Sequence, residues 1–115
     1  MTALREGTWI AVCRISALLP NLGAAALLPC GAQVAVFRTG SGEVFAVSNV
    51  DPFSGAAVLS RGIVGDRGGV PVVVSPVYKQ AFDLRTGTCV DDAAVSVAVY
   101  PVRLENGTVL VEWHQ

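Results

Sequence analysis

Residues 75–87 read SPVYKQAFDLRTG, and this stretch decides which fold we expect. Its first four residues, Ser-Pro-Val-Tyr, are typical of an exposed loop, because proline cannot donate a backbone hydrogen bond to a sheet. Residues 79–84 form a short run that predicts a strand. The pair Thr86-Gly87 is suited to a tight turn, so the stretch predicts a loop followed by a hairpin.

Short runs of β-branched and aromatic residues recur on both sides of this stretch, separated by glycine, proline and asparagine. The predicted strands are residues 8–13, 33–38, 44–48, 70–74, 79–84, 95–100 and 108–113. Gly40-Ser41-Gly42 and Asn106-Gly107 predict two more hairpin turns. In the last hairpin, apolar residues alternate with mostly polar ones, which predicts one buried face. The members of that apolar face are Val102, Leu104, Val109 and Val111.

Helical patterns are scarce in this chain. Only residues 15–19 and 22–28 could form a turn or a short helix, and Pro20 limits their length. Residues 53–67 follow neither a strand period nor a helix period, so we expect an irregular loop there. The sequence therefore predicts an all-β fold, either an antiparallel β-sandwich or a small barrel.

The composition limits the organisation and the partners of the chain. Its 115 residues, 52% hydrophobic and 15% charged, have the size and apolar content of a single folded domain, residues 1–115. The formal net charge is -1 and the basic residues are scattered, which argues against nucleic acid or an anionic membrane as a partner. The longest apolar stretch, residues 15–28, is interrupted and too short to span a bilayer, so we expect no membrane segment.

Residues that could catalyse a reaction or bind a metal are few. His114 is the only histidine and is a poor candidate for a Ser-His-Asp site, because chain ends often fray. The three cysteines, Cys13, Cys30 and Cys89, form no Cys-x-x-Cys or Cys-x-His pair, and we interpret them as buried or half-buried apolar residues. An odd number of cysteines without paired spacing also fits a protein of the reducing cytoplasm. Asp91-Asp92 is interpreted as a solvated acidic pair. We therefore predict no catalytic, cofactor-binding or metal-binding residue.

A resemblance adds to this reading of the residues. Residues 75–87 resemble the second cluster-binding loop and the following hairpin of Rieske-type domains, in which Cys-Pro-x-His precedes Phe-Asp-Leu and a Thr-Gly turn. The hairpin is kept here, but Ser75 stands at the position of the second Cys and Tyr78 at that of the second His. The resemblance implies an all-β, Rieske-like ISP-domain fold with a cluster-binding-type subdomain of two loops within residues 49–87.

Residues 49–62 resemble the first cluster-binding loop, which contains Cys-x-His in members that carry a cluster. Pro52 and Ser54 fall on the two ligand positions in one alignment, and Asp51 and Phe53 fall on them after a shift of one residue. Neither alignment supplies a thiolate or an imidazole, the groups that bind a Rieske [2Fe-2S] cluster. The resemblance therefore implies vestigial ligand positions that bind no metal.

A ligand-free, Rieske-like chain of this kind is similar to the small-subunit family of the assimilatory NAD(P)H nitrite reductases. The similarity extends over almost the whole length, and its most specific parts are DPFSGA at 51–56 and LSRGIVGD at 59–66. It implies reduction of nitrite to ammonium by a cytoplasmic complex. The large subunit of that complex would be the partner of this chain, would take electrons from NADH or NADPH, and would carry FAD, a [4Fe-4S] cluster and sirohaem.

The resemblance also places the two loops together at one tip of the molecule. An aromatic side chain flanked by hydrogen-bonding groups suits the centre of an interface, so we predict that this tip contacts the large subunit. The predicted contact residues are Asp51, Phe53, Ser54, Tyr78, Lys79 and Gln80. Alternatively, Phe53 and Tyr78 fill the space left by a lost cluster. Two other functions stay open: a stand-alone Rieske-like module that binds another protein, and a Rieske-type ferredoxin.

Overall fold

The computed structural model describes residues 7–114, which form ten short β-strands and two single-turn 3₁₀ helices. The strands are β1 (Thr8–Arg14), β2 (Leu22–Leu27), β3 (Gln33–Arg38), β4 (Val44–Ser48), β5 (Ile63–Arg67), β6 (Val70–Val74), β7 (Ala81–Asp83), β8 (Val99–Tyr100), β9 (Val102–Glu105) and β10 (Thr108–Trp113). The 3₁₀ helices are Ile15–Ala17 and Leu59–Arg61. None of the helices in this part of the chain is long and apolar enough to cross a membrane. The predicted all-β fold is confirmed.

The strands form three sheets in which every pairing is antiparallel. The first sheet has the order β1-β10-β9, the second β2-β3-β4-β8 and the third β5-β6-β7. Most neighbours are consecutive in sequence and are joined by short turns. The exceptions are β1, which pairs with β10 so that Thr8 lies opposite Trp113, and β4, which pairs with β8. The first sheet therefore joins the two ends of the described chain.

The second sheet lies between two hydrophobic clusters. Side chains of β3 alternate between them, because successive residues of a strand point to opposite faces. Val34 and Val36 pack in one cluster with first-sheet residues such as Val111. Ala35 and Phe37 pack in the other cluster with the third sheet. Burial on both faces explains why residues 34–37 are continuously apolar rather than alternating.

Strong strand patterns were predicted with accurate limits. Residues 33–38, 44–48, 70–74 and 108–113 coincide with β3, β4, β6 and β10. The Asn106-Gly107 turn closes the last hairpin, with φ of 52° and 78° at its two residues. On the apolar face of that hairpin, Val109 and Val111 are buried as predicted, whereas Leu104 is 49% exposed.

The prediction of a turn or short helix at residues 22–28 was wrong. Alanine-rich sequence favours a helix by propensity, but here residues 22–27 pair in continuous register with β3. A Cβ atom on Gly23 would lie 2.5 Å from Cε1 of Phe37 and 2.8 Å from the backbone oxygen of Ser60. Glycine therefore allows β2 to approach both neighbours, and this tertiary pairing overrides the local preference.

The limits of three other segments also differ from the predictions. Residues 63–67 were expected to be irregular but form β5, paired with β6 from Ile63↔Val74 to Arg67↔Val70. In the predicted strand 79–84, pairing begins only at Ala81, because Lys79 adopts a left-handed conformation with φ of 66°. In the predicted strand 95–100, only Val99–Tyr100 are strand residues. The hairpin of β5 and β6 thus separates the two loops.

Candidate functional site

Two loops beside the third sheet contain every residue that the sequence assigned to the candidate site. The first loop, residues 49–62, leads from β4 to β5 and includes the 3₁₀ helix Leu59–Arg61. The second loop, residues 75–80, connects β6 to β7. Because β6 and β7 are neighbours in one sheet, the second loop is held at both ends by that sheet.

The buried side chain of Asn49 anchors the base of the first loop. Its Nδ2 donates to Oε1 of Gln33 at 3.1 Å, and its Oδ1 accepts a hydrogen bond from the backbone N–H of Ser60 at 2.7 Å. Its backbone N–H donates to the carbonyl of Gln33, and its carbonyl accepts from the N–H of Leu59. These bonds tie the beginning of the loop to its end and to β3.

Asp51 is the centre of the first loop and is 0% exposed. Its Oδ1 accepts a hydrogen bond from the backbone N–H of Phe53 at 2.8 Å. Its Oδ2 accepts one from the hydroxyl of Ser75 at 2.5 Å, and Ser75 is also 0% exposed. The backbone of Asp51 closes a tight turn, since its N–H donates to the carbonyl of Ala56 and its carbonyl accepts from Gly55. The structure therefore joins the two loops through one buried pair.

The second loop is held by its own hydrogen bonds. The N–H of Ser75 donates to the carbonyl of Gln80 at 2.9 Å, and the hydroxyl of Ser75 accepts from the N–H of Val77 at 3.3 Å. Lys79 lies in the left-handed region, and its Nζ donates to the carbonyl of Pro76 at 3.1 Å. The loop is short and internally bonded, which fixes the path of its backbone.

The two aromatic residues of the loops have different surroundings. Phe53 is half-buried, and its ring packs against that of the buried Phe82 with 6.2 Å between the centroids. Tyr78 is 60% exposed, and the adjacent Val77 is also exposed. Space filling therefore accounts for Phe53 but leaves Tyr78 on the surface. Gln80 is half-buried, and among the described residues its buried Oε1 has no hydrogen-bond partner.

Asp91 supports the loops in a way that the sequence interpretation missed. Its Oδ2 accepts a hydrogen bond from the N–H of Ala81 at 2.9 Å, and its Oδ1 lies 3.3 Å from Nη1 of Arg67. The hydrogen bond from Ala81, with a smaller contribution from Arg67, lowers the pKa of Asp91. Asp91 therefore braces the start of β7. No local pattern distinguishes it from its solvated neighbour Asp92.

The donor groups of the two loops do not fit an iron-sulfur cluster. Such clusters are bound by cysteine thiolates, with two histidines in Rieske centres. The loops offer a carboxylate, hydroxyls and aromatic rings instead, and residues 7–114 contain no group of three or more His, Cys, Asp or Glu placed to hold a metal. The cysteines lie elsewhere: Cys13 is half-buried in β1 and Cys89 is buried in the core, as predicted, but Cys30 is exposed rather than buried or half-buried.

Comparison with known proteins connects this geometry to one family. Residues 8–112 match the Rieske-like [2Fe-2S] domain family. The nitrite reductase (NADH) small subunit of Salmonella typhimurium is 45% identical over 102 residues, which cover 88% of this chain and 94% of that protein. An NMR structure of the Escherichia coli protein NirD is 41% identical, covers 95% of this chain and 99% of that chain, and has a TM-score of 0.86.

One relative is much longer than this chain. The nitrite reductase [NAD(P)H] large subunit of Klebsiella oxytoca is 44% identical over 109 residues. The matched region covers 95% of this chain but only 11% of that protein, so this chain spans about a tenth of its length. A region similar to 95% of this chain therefore occurs within a far larger polypeptide.

Proposed function

The chain belongs to the Rieske-like [2Fe-2S] domain family and, within it, to the nitrite reductase small subunits, and from this we propose that it is the non-redox small subunit of an assimilatory NAD(P)H nitrite reductase. The complex reduces nitrite to ammonium, and the FAD, [4Fe-4S] cluster and sirohaem belong to the large subunit. The supporting observation is the similarity to a nitrite reductase small subunit over 94% of its length. We assign the complex to the cytoplasm, which suits three cysteines that are all free.

The Klebsiella oxytoca relative supports the choice of partner. There, a region similar to this chain is part of a polypeptide named as a large subunit. A domain that is covalently joined to a large subunit in one protein works next to it, so the same domain as a separate chain is expected to bind the large subunit non-covalently. This observation favours the complex over a stand-alone module for an unrelated partner.

We propose that the two loops form the docking surface for the large subunit, with Tyr78 and Lys79 making direct contact. Both side chains are exposed, and Tyr78 is the aromatic anchor. Asp51 is buried and Phe53 half-buried, so they support the surface from below rather than forming its centre. Gln80 is half-buried, and its Oε1, which has no hydrogen-bond partner within residues 7–114, is itself buried, so Gln80 also lies below this surface.

The hydrogen bonds of the loops support this assignment, because a surface that is already ordered loses less conformational entropy on binding. The hydroxyl of Ser54 accepts from the N–H of Ala56 at 3.2 Å and so contributes to the shape of the first loop. In the second loop, the bond from Lys79 Nζ to the carbonyl of Pro76 leaves other donors of the ammonium group free for a partner acceptor.

The donor groups of the loops support the non-redox role, because they are not those of an iron-sulfur site. Electrons therefore pass between centres of the large subunit. We expect the purified chain, produced with ample iron, to be colourless and to contain no stoichiometric iron or sulfide. A brown protein with the visible absorption of a [2Fe-2S] cluster would instead identify a Rieske-type ferredoxin.

Reconstitution tests the proposed function directly. The large subunit is purified without this chain, and nitrite-dependent NADH or NADPH oxidation and ammonium formation are measured before and after the chain is added. We expect the chain to bind the large subunit and to raise the rate or the lifetime of activity. An equal mass of an unrelated small β-protein serves as the control. If the chain does not bind the large subunit, and neither the rate nor the lifetime of activity changes when it is added, the chain is not a subunit of this enzyme.

A further inference from the structure

Asp51 and Ser75 reach the same buried point from the two loops. Their side chains meet at 2.5 Å although the residues are 24 positions apart. We propose that these two residues occupy the positions from which two ligands reach one iron in cluster-bearing Rieske-like domains, and that their hydrogen bond replaces the metal as the link between the loops. This proposal rests on family membership and is independent of the proposed docking.

The geometry of metal binding supports this assignment. In a Rieske centre one iron is bound by two cysteines and the other by two histidines. With metal–sulfur bonds of about 2.3 Å in tetrahedral geometry, two sulfur atoms on one iron lie roughly 4 Å apart. The two cysteine side chains must therefore converge on one buried point. Oδ2 of Asp51 and Oγ of Ser75 converge in this way, and both residues are 0% exposed.

The same geometry selects one of the two alignments that the sequence left open. If Asp51 and Ser75 replace the cysteines, then Phe53 and Tyr78 replace the histidines, at spacings of two and three residues. In the other alignment Pro52 would replace a cysteine, but Pro52 is exposed and has no side chain that reaches inward. Asp51 and Phe53 therefore fit the first cluster-binding loop, and Pro52 and Ser54 do not.

The Asp51–Ser75 bond also stabilises the shape of both loops. Oδ1 of Asp51 accepts a hydrogen bond from the N–H of Phe53, and the hydroxyl of Ser75 accepts one from the N–H of Val77. One hydrogen bond thus connects two turns, as a bound metal would. Asp51 and Ser75 are therefore positioning residues for the exposed Tyr78. Because the link is a hydrogen bond, the loops keep their shape without a supply of iron.

Rebuilding the cluster site tests the assignment. One variant carries Asp51→Cys, Phe53→His, Ser75→Cys and Tyr78→His. The matched control carries Pro52→Cys and Ser54→His with the same two changes in the second loop. Both are purified without oxygen and incubated with ferrous iron and sulfide, and the bound iron, bound sulfide and visible spectrum are measured. We expect a [2Fe-2S] cluster in the first variant and none in the control. Incorporation in the control alone, equal incorporation in both, or none in a folded first variant would overturn the proposal.

If the four-residue variants do not fold, a double-mutant cycle on the natural loops tests whether Asp51 and Ser75 link them. Asp51→Asn, Ser75→Ala and the double variant are compared by thermal unfolding. If the two side chains form one link, the double variant loses clearly less in midpoint temperature than the sum of the two single losses. Cluster assembly in the first variant and a coupled cycle both support the link. Additive losses would show that the two side chains act separately, and would overturn it.

Discussion

Replacing Tyr78 by Ala is the most direct test of the docking surface. A tyrosine side chain can bury about 150–250 Å², and Tyr78 is 60% exposed in the free chain, so about 100 Å² or more is available to a partner. At about 25 cal/mol for each Å² of apolar surface, its removal should cost about 2–3 kcal/mol of binding free energy. This corresponds to a dissociation constant that is weaker by roughly 30- to 150-fold.

The assay is calorimetric titration of the large subunit with the natural chain and with Tyr78→Ala. The matched control is Leu104→Ala, because Leu104 is 49% exposed but lies on β9 in the first sheet. Since both side chains are exposed, thermal unfolding should show that neither change costs more than about 0.5 kcal/mol of stability. Unchanged affinity of Tyr78→Ala would refute the reasoning, and weakened binding of Leu104→Ala would then move the interface to the first sheet.

Three further predictions concern stability and reactivity. In chemical unfolding, Gly87→Ala should lower the free energy of unfolding by about 3 kcal/mol or more, because φ is 81° and a Cβ would collide with a backbone carbonyl. The control Gly42→Ala, at a φ of 94° but in open space, should lower it by only about 1–2 kcal/mol. Burial raises the pKa of Asp83, but hydrogen bonds and charge from Arg85 outweigh it and hold that pKa below its ordinary value. The stabilising contribution is therefore present above the ordinary pKa of about 3.9 and is lost as pH falls through the folded value, so Asp83→Asn should flatten the acid side of a plot of melting temperature against pH. Alkylation followed by peptide mass spectrometry should label Cys30 first in the native chain, because it is exposed while the other two cysteines are half-buried or buried; equal labelling of all three would contradict the described burial.

The strands that were predicted well are those in which local pattern and tertiary environment agree. β3 and β10 consist largely of β-branched and aromatic residues, and their turns are short. β2 was missed because its alanines have no preference for a strand, and its pairing with β3 is decided by the rest of the sheet. β5 was missed because glycine and charged residues hide its period, although every residue of it pairs with β6.

For the candidate site, the sequence identified the two loops but not the roles of their residues. Phe53 and Tyr78 are both aromatic and both lie in loops, so no local signal separates a ring that packs on the core from one on the surface. Whether a side chain is buried depends on which other segments of the chain pack against it, and only the fold places Phe82 against Phe53. The support from Asp91 was invisible for the same reason, since its partners Ala81 and Arg67 are distant in sequence.

By itself, the amino-acid sequence determined the all-β class, the strongest strands and the resemblance to Rieske-like small subunits, because these depend on residue types and on spacings along the chain. Only the tertiary structure decided that Asp51 meets Ser75 and that Tyr78 stays exposed. Those facts depend on distances between segments that are far apart in sequence, and such distances are set by the packing of the second and third sheets. A hydrogen bond between two buried side chains forms only when the fold brings them within reach.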